Sequence, residues 1–211
     1  MADKKKLDAV FEGGGVKGIG HVGAVTVTEG HGYEFVNVAG SSAGAIVASF
    51  IAADYSGLEM KQILDDLNYL DFLDEGLLDR LPLLGKPLSF IFEKGIYEGA
   101  YFEKWLRERL ANKGVHTFGD LVLDDFKDKP KYRYRLQVTG ADVSRGVLLI
   151  LPGDIAQYGM DPDQLDVAAA VRMSMSIPFI FEPVLLKDRA GKTSYIVDGG
   201  LLSNFPVSIF D

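Results

Sequence analysis

Residues 33–44, with the sequence Tyr-Glu-Phe-Val-Asn-Val-Ala-Gly-Ser-Ser-Ala-Gly, decide the fold of this chain. They begin as a strand-like run, and a helix-like run that is apolar except for Ser49 follows at 45–53. The Gly-Ser-Ser-Ala-Gly segment between them is typical of a nucleophile elbow, with Ser42 as the attacking residue. Gly40 and Gly44 supply the space that so sharp a turn needs beside the neighbouring backbone. The pentapeptide alone also suits an ordinary Ser/Gly loop, and its placement between strand and helix favours the elbow.

The flanking segments predict an α/β fold. A buried strand at 7–11 leads through a glycine-rich loop into a helix that ends near Glu29, so the chain starts as strand, helix, strand, helix. That order implies a parallel sheet covered on both faces. Further along, the patterns predict helices at 57–80, 99–113 and 165–175, and strands at 132–140, 146–151, 184–187 and 194–197.

Composition limits the function classes. At 211 residues and 47% hydrophobic content, we expect a single domain spanning residues 1–211. A formal net charge of -8 argues against nucleic-acid partners, because neutralising phosphates needs clustered Lys and Arg. The absence of Cys excludes disulfides, thiolate catalysis and Cys-based zinc sites. No signal peptide is visible, so we expect a cytoplasmic protein, with peripheral contact at membranes.

The pattern of the glycine-rich loop suits the binding of either of two anions, a phosphate or an oxyanion. Gly13, Gly15 and Gly18 match the dinucleotide pattern G-x-G-x-x-G, so a nucleotide-binding enzyme is one alternative. The acidic residue that should end the second strand and bind the ribose is missing there. A phosphate-binding P-loop also fails, because Ile19 stands where its Lys should follow Gly18.

Beside a serine elbow, the loop suits an oxyanion hole better. Acyl transfer needs fixed donors where the tetrahedral intermediate becomes negative, and one donor contributes about 3 kcal/mol. We predict that Gly13, Gly14 and Gly15 form this hole, with Gly14 and Gly15 as the main N–H donors. Lys17 is predicted to orient the loop or to face a substrate headgroup, the alternative being a solvated surface cation.

The serine needs a proton acceptor. His31 and His116 lie in loops, and His21 lies in the first helix, where a packing role is the better interpretation. Asp198 ends a late strand and precedes Gly199 and Gly200, so its carboxylate is the alternative base if it is close to the serine and partly desolvated. An ordinary Asp-Gly-Gly turn is the other interpretation.

Five ordered blocks resemble the patatin-like phospholipases. They are residues 13–23 (Gly-Gly-Gly-Val-Lys-Gly-Ile-Gly-His-Val-Gly), 40–44, 170–178 (Ala-Val-Arg-Met-Ser-Met-Ser-Ile-Pro), 198–200 and 204–207 (Asn-Phe-Pro-Val). The resemblance implies a three-layer α/β/α sandwich with a mainly parallel central sheet. It also implies a Ser-Asp dyad that cleaves fatty acyl esters of phospholipids or lysophospholipids, in lipid catabolism, without a metal or other cofactor.

Carried over block by block, the resemblance makes Ser42 the nucleophile, Asp198 the base and Gly13 to Gly15 the oxyanion loop. The residues that support the dyad and the loop are Gly18, Gly40, Gly44, Gly199, Gly200 and Lys17. The family more often has Arg where this chain has Lys17, so the charge is kept without bidentate geometry. Family domains usually continue through further helices after the Asp-Gly-Gly block, whereas this chain stops at Asp211.

The sequence therefore predicts a serine acyl hydrolase, a carboxylic ester hydrolase of the phospholipase A, lysophospholipase or esterase type. The alternatives are a catalytically idle lipid-binding module and the nucleotide-binding enzyme. A separate hypothesis concerns an apolar segment that either docks on a lipid surface or is buried in the core. It consists of Leu81, Leu83, Leu84, Leu88, Phe90, Ile91 and Phe92.

Overall fold

The computed structural model describes residues 4–65 and 96–211, with side chains from residue 99 onward in the second range. The first range forms the predicted alternation of strands and helices. It contains β1 (Lys5–Phe11), α1 (Ile19–Gly30), β2 (Tyr33–Gly40), α2 (Ala43–Ala52) and α3 (Gly57–Asp65), with a short 3-10 helix at Gly15–Gly18 before α1.

The second range completes the sheet and adds two helices. Its elements are α4 (Ile96–Ala111), β3 (Leu136–Asp142), β4 (Val147–Leu151), α5 (Val167–Ser174), β5 (Val184–Lys187) and β6 (Thr193–Asp198). Short 3-10 helices occupy Phe118–Leu121, Asp124–Phe126, Gly153–Tyr158, Pro162–Gln164, Gly199–Leu201 and Val207–Phe210.

The six strands form one mixed sheet in the order β1-β2-β3-β6-β5, with β4 paired to β3. Strands β1, β2 and β3 are parallel, β6 and β4 are antiparallel to β3, and β5 is antiparallel to β6. Four of the six strands, β1, β2, β3 and β5, therefore run in one direction. Helix α2 packs on β1, β2 and β3, α1 packs on β2, and α5 packs on β3 and β6. The predicted three-layer α/β/α sandwich with a mainly parallel sheet is confirmed.

Strand β3 brings the ends of β2 and β6 together. Val138 pairs with Gly40 of β2 on one edge and with β4 on the other. Gly140 pairs with Asp198 of β6 and again with β4, so β2 and β6 share one edge of β3. Because β6 runs antiparallel to β3 and β2 runs parallel to it, the two carboxyl ends meet head to head at Thr139.

The core explains why α2 must be apolar. Every residue of α2 is buried except Ala43 and Ile46, which are half-buried, because the helix is enclosed by the sheet and by α5. Burying a Val or Phe side chain stabilises the fold by about 1.5–3 kcal/mol. Ser49, the polar side chain within α2, donates to the Ile46 carbonyl of the same helix. The core also includes Leu106, Leu110, Phe118, Leu136, Leu149, Leu151, Ile155 and Ile196.

The largest difference between predicted and observed boundaries is in β3. The strand predicted at 132–140 begins only at Leu136 and extends to Asp142, because residues 132–135 turn across the sheet edge, where Asn37 Nδ2 donates to the carbonyls of Tyr132 and Tyr134. The helix predicted at 57–80 is described only as Gly57–Asp65. The apolar segment at 81–92 lies outside the described residues. Among residues 4–65 and 96–211, no helix is both long and apolar enough to cross a membrane.

Candidate active site

Ser42 and Asp198 meet where β2 and β6 end. The Ser42 side chain lies beside the Asp198 carboxylate, close enough for its hydroxyl to favour the ionised form and lower the pKa of that group. Both side chains are nearly buried, with Ser42 7% and Asp198 6% exposed. One polar site is therefore formed by two segments that are distant in the sequence: the elbow early in the chain and the Asp-Gly-Gly turn late in it.

The backbone of Ser42 has the strained geometry of an elbow. Its φ of 51° and ψ of -124° are unusual for a residue with a side chain, and such a conformation costs on the order of 1–3 kcal/mol. The Ser42 N–H donates to the Ser174 hydroxyl at 3.0 Å, which fixes the turn from outside. Helix α2 begins at the next residue, so its positive end faces the Ser42 hydroxyl.

The environment of Asp198 suits a base. Burial raises the pKa of this carboxyl above its ordinary value, while hydrogen bonds from Ser42 and from the Gly200 N–H oppose the shift. The Gly200 N–H lies 2.6 Å from Asp198 Oδ1. The Asp198 backbone N–H donates to the Ser176 carbonyl at 2.9 Å. A desolvated carboxylate has a higher proton affinity, which is the property that removal of a serine proton needs.

The predicted supporting glycines allow close backbone approach. A side-chain carbon at Gly40 would lie 2.6 Å from the Ala45 nitrogen, and one at Gly44 would lie 2.6 Å from the Glu12 carbonyl oxygen. Gly44 thereby seats the first turn of α2 against the end of β1. Gly18 packs on Ala43, Gly199 packs on Thr139, and Gly200 lies against the Asp198 carboxylate.

The N–H groups of the glycine loop differ in their partners. The Gly13 N–H donates to the Asn204 carbonyl at 2.9 Å, so Gly13 belongs to the loop without having a free N–H. Gly14 and Gly15 are exposed, and their N–H groups have no acceptor in the described part of the chain. Gly15 has φ +53°, a left-handed conformation that glycine adopts without strain. The two amides predicted as the main donors are thus available.

Lys17 and the three histidines are the other polar residues that the sequence singled out. Lys17 is exposed on the 3-10 helix that follows the glycines. His21 hydrogen-bonds through Nε2 to the Glu12 carbonyl at 3.0 Å and packs edge-on against Phe11, which is the packing role that we predicted. His31 bonds to the Val27 carbonyl through Nδ1, and His116 is exposed before the Phe118–Leu121 turn. Within the described ranges, none of these imidazoles is hydrogen-bonded to Ser42 or Asp198.

Sequence reasoning missed a group of residues that fix the site. Ser41 bonds to Thr139 at 2.5 Å and donates to the Ser203 carbonyl at 2.8 Å, which ties the elbow to β3 and to the segment after Asp198. Ser174 and Ser176 hold the backbones of Ser42 and Asp198. Ser174 and Ser176 lie in block 170–178 of the resemblance, which was the available signal, but no pattern within that block says what its serines contact.

Arg172 fixes the segment that carries Ser174 and Ser176. Its guanidinium, 7% exposed, donates to the Ser176 hydroxyl and, at 3.0 Å, to the Glu182 carbonyl. Burial lowers the pKa of Arg172, and the charges of Glu103 and Glu182 oppose that effect. Gly99 of α4 packs directly on the guanidinium, where a larger residue would collide with it. Across residues 4–65 and 96–211, no cluster of three or more His, Asp or Glu is arranged to hold a metal ion.

Known proteins are similar to this chain over nearly its whole length. The sequence profile described as patatin-like phospholipase matches residues 9–211. The uncharacterized protein YqhO of Bacillus subtilis is 42% identical over 205 residues, which cover 97% of this chain and 66% of YqhO. The lysophospholipase NTE1 of Meyerozyma guilliermondii is 25% identical over 223 residues, covering 99% of this chain and 12% of that protein. The chain thus spans about two thirds of the first relative and a small part of the second.

Solved structures share the fold. VipD from Legionella pneumophila superimposes with a TM-score of 0.57 at 20% identity, covering 96% of this chain and 47% of that one. The ExoU-SpcU complex of Pseudomonas aeruginosa gives a TM-score of 0.52 at 24% identity, covering 83% and 37%. Because the family profile matches nearly the whole chain and the fold agrees with it, this protein belongs to the patatin-like phospholipase family.

Proposed function

We propose that this protein is a serine acyl hydrolase that cleaves fatty acyl esters of phospholipids or lysophospholipids with a Ser42-Asp198 dyad. The observation that carries the proposal is the placement of the buried Ser42 side chain beside the buried Asp198 carboxylate. Family membership supports lipid ester hydrolysis as the general activity. The name of NTE1, a lysophospholipase, supports a lysophospholipid as one substrate class.

The first half of the reaction forms an acyl-enzyme. Asp198 accepts the Ser42 proton as the serine oxygen attacks the ester carbonyl, and the negative charge that develops on the carbonyl oxygen is met by the N–H groups of Gly14 and Gly15. The positive end of α2 adds to this field. When the tetrahedral intermediate collapses, the protonated Asp198 donates its proton to the departing alcohol oxygen.

The second half releases the fatty acid. Asp198 accepts a proton from a water molecule, the resulting nucleophile attacks the acyl carbonyl, and Ser42 leaves with the proton returned to it. Since the base works only when ionised, activity should persist at mildly alkaline pH and decline as the pH falls through the raised pKa of Asp198. In the proposed scheme Lys17, which is exposed beside the loop, faces an anionic headgroup.

A product assay tests the proposal. The purified protein is incubated with mixed vesicles of diacyl phospholipids and lysophospholipids, and released fatty acids are quantified by mass spectrometry. We expect fatty acid release that disappears in Ser42→Ala, whose folding is verified by circular dichroism. Absence of release from every lipid by the folded wild-type protein, or equal release by Ser42→Ala, would contradict the proposal.

A further inference from the structure

Asn204 holds the glycine loop through two hydrogen bonds. The Gly13 N–H donates to the Asn204 backbone carbonyl at 2.9 Å, and Asn204 Nδ2 donates to the Gly13 carbonyl at 3.0 Å. Both polar groups of residue 13 are thus bound by a single residue from the opposite end of the chain. The side-chain bond is the informative one, because a backbone carbonyl is present whatever residue occupies position 204.

The Gly13 carbonyl belongs to the same peptide group as the Gly14 N–H. That peptide is trans, so its C=O and N–H bonds point in opposite directions within one rigid plane. A donor that fixes the direction of the Gly13 carbonyl therefore fixes the direction of the Gly14 N–H as well. With glycine on both sides of the peptide, few other steric contacts restrict its rotation.

The Asn204 amide also contacts the other parts of the site. A side-chain carbon at Gly200 would lie 2.9 Å from Asn204 Oδ1 and 2.9 Å from Asp198 Oδ1, so the amide lies against the turn that carries the base. A side-chain carbon at Gly13 would collide with Asn204 Oδ1 and lie 3.1 Å from Ser42 Cβ. The neighbouring Ser203 carbonyl accepts the Ser41 hydroxyl. The segment 203–204 therefore joins the glycine loop, the elbow and the Asp198 turn.

We propose that Asn204 is a positioning residue whose side-chain amide aims the Gly14 N–H at the developing oxyanion. The inference rests on the proposed hydrolase function and adds a residue to it. Asn204 does not touch the reacting atoms in this scheme; it acts through the peptide between Gly13 and Gly14. Its removal should weaken binding of the transition state and leave binding of the ground-state ester nearly unchanged.

Two substitutions remove the amide donor without adding charge. Asn204→Leu keeps a similar shape, and Asn204→Ala is the smaller alternative; both keep the backbone bond from the Gly13 N–H. Asn112→Ala, at an exposed asparagine after α4, is the matched control. For each protein, kcat and KM are measured on a p-nitrophenyl ester, together with the inhibition constant of a fatty acyl trifluoromethyl ketone, which forms a tetrahedral adduct with serine.

We expect kcat to fall about tenfold or more in both Asn204 variants, with a corresponding loss of ketone affinity. KM should stay within roughly twofold of wild type, and the acid limb of the pH profile should not move, since Asp198 is untouched. Wild-type kcat in a folded variant would overturn the inference, as would a loss of kcat that is matched by a shifted pH profile or by unfolding. If Ser42→Ala abolishes turnover and the Asn204 variants keep the wild-type kcat, only this inference fails. If the wild-type protein hydrolyses nothing, the proposed function fails and the inference fails with it.

Discussion

The Ser42 side chain lies beside the Asp198 carboxylate, although the two residues are far apart in the sequence. Strand β3 makes this approach possible, because Gly40 and Asp198 pair with Val138 and Gly140 on the same edge. The proposed nucleophile and base are thus held by paired strands and by hydrogen bonds at both backbones. A site held in this way keeps its reactive groups aligned before substrate arrives.

The histidines provide the first test of this arrangement. Asp198→Asn should lower kcat by about a hundredfold or more, because the carboxamide cannot accept the serine proton. Turnover should stay within a few-fold of wild type in His21→Ala, His31→Ala and His116→Ala, because none of these imidazoles is hydrogen-bonded to Ser42 or Asp198. Steady-state kinetics on one ester substrate compares all four variants. An inactive but folded His116→Ala would instead favour a triad.

The buried carboxylate should also make stability depend on pH. The unfolded chain titrates Asp198 near its ordinary pKa and the folded protein titrates it higher, so the folded state binds an extra proton between these values. Wild-type stability is therefore lost as pH rises through this window, by about 1.4 kcal/mol for each unit of pKa difference. The Asp198→Asn variant has no carboxyl at this position, so it should not lose stability in this way.

Thermal unfolding measures the effect. Asp198→Asn should have a higher melting temperature than wild type at about pH 8, and the advantage should shrink toward about pH 4, where the wild-type carboxyl becomes protonated. A difference in melting temperature that stays constant across this range would show that folding does not raise the pKa of Asp198.

Gly44 tests the close contact between α2 and the end of β1. Gly44→Ala should destabilise the protein by about 3 kcal/mol or more, because its new carbon would meet the carbonyl oxygens of Phe11 and Glu12, which are backbone atoms and cannot rotate away. Gly23→Ala in α1 is the control, since that position is open, and it should stabilise the helix by about 0.5–1 kcal/mol. Urea unfolding compares them; a Gly44→Ala variant as stable as wild type would refute the packing described.

Ser174 tests the support of the elbow. Ser174→Ala leaves the buried Ser42 N–H without its acceptor, so stability should fall by about 1–3 kcal/mol and kcat should fall with it. Ser49 is equally buried, yet its hydroxyl only donates to the Ile46 carbonyl in its own helix. Ser49→Ala should therefore change stability by less than about 1 kcal/mol. Equal effects of the two substitutions on stability and kcat would contradict a specific role for Ser174.

The sequence predicted those features that local pattern determines. The run at 33–39, the glycines around Ser42 and the apolar 45–53 segment define strand, turn and helix by themselves, and the structure has them within two residues. The meeting of Ser42 with Asp198 was expected only from the resemblance, because the antiparallel pairing of β6 on β3 depends on contacts between segments distant in sequence.

The contacts that sequence reasoning missed all join segments that are distant in the sequence. Gly13 has the same local context as Gly14, and only the position of Asn204 shows that its N–H is engaged. Ser174, Ser176 and Asn204 act through single hydrogen bonds to backbone groups of other segments. Such bonds leave no periodicity or spacing in the sequence, so only the folded arrangement reveals them.

The most direct test of the central claim is active-site labelling with a fluorophosphonate, followed by peptide mass spectrometry. We predict one adduct, on Ser42, formed much more slowly in Asp198→Asn and absent in Ser42→Ala. A folded wild-type protein that stays unlabelled, or a label on another residue that persists in Ser42→Ala, would contradict the claim that Ser42 is a nucleophile activated by Asp198.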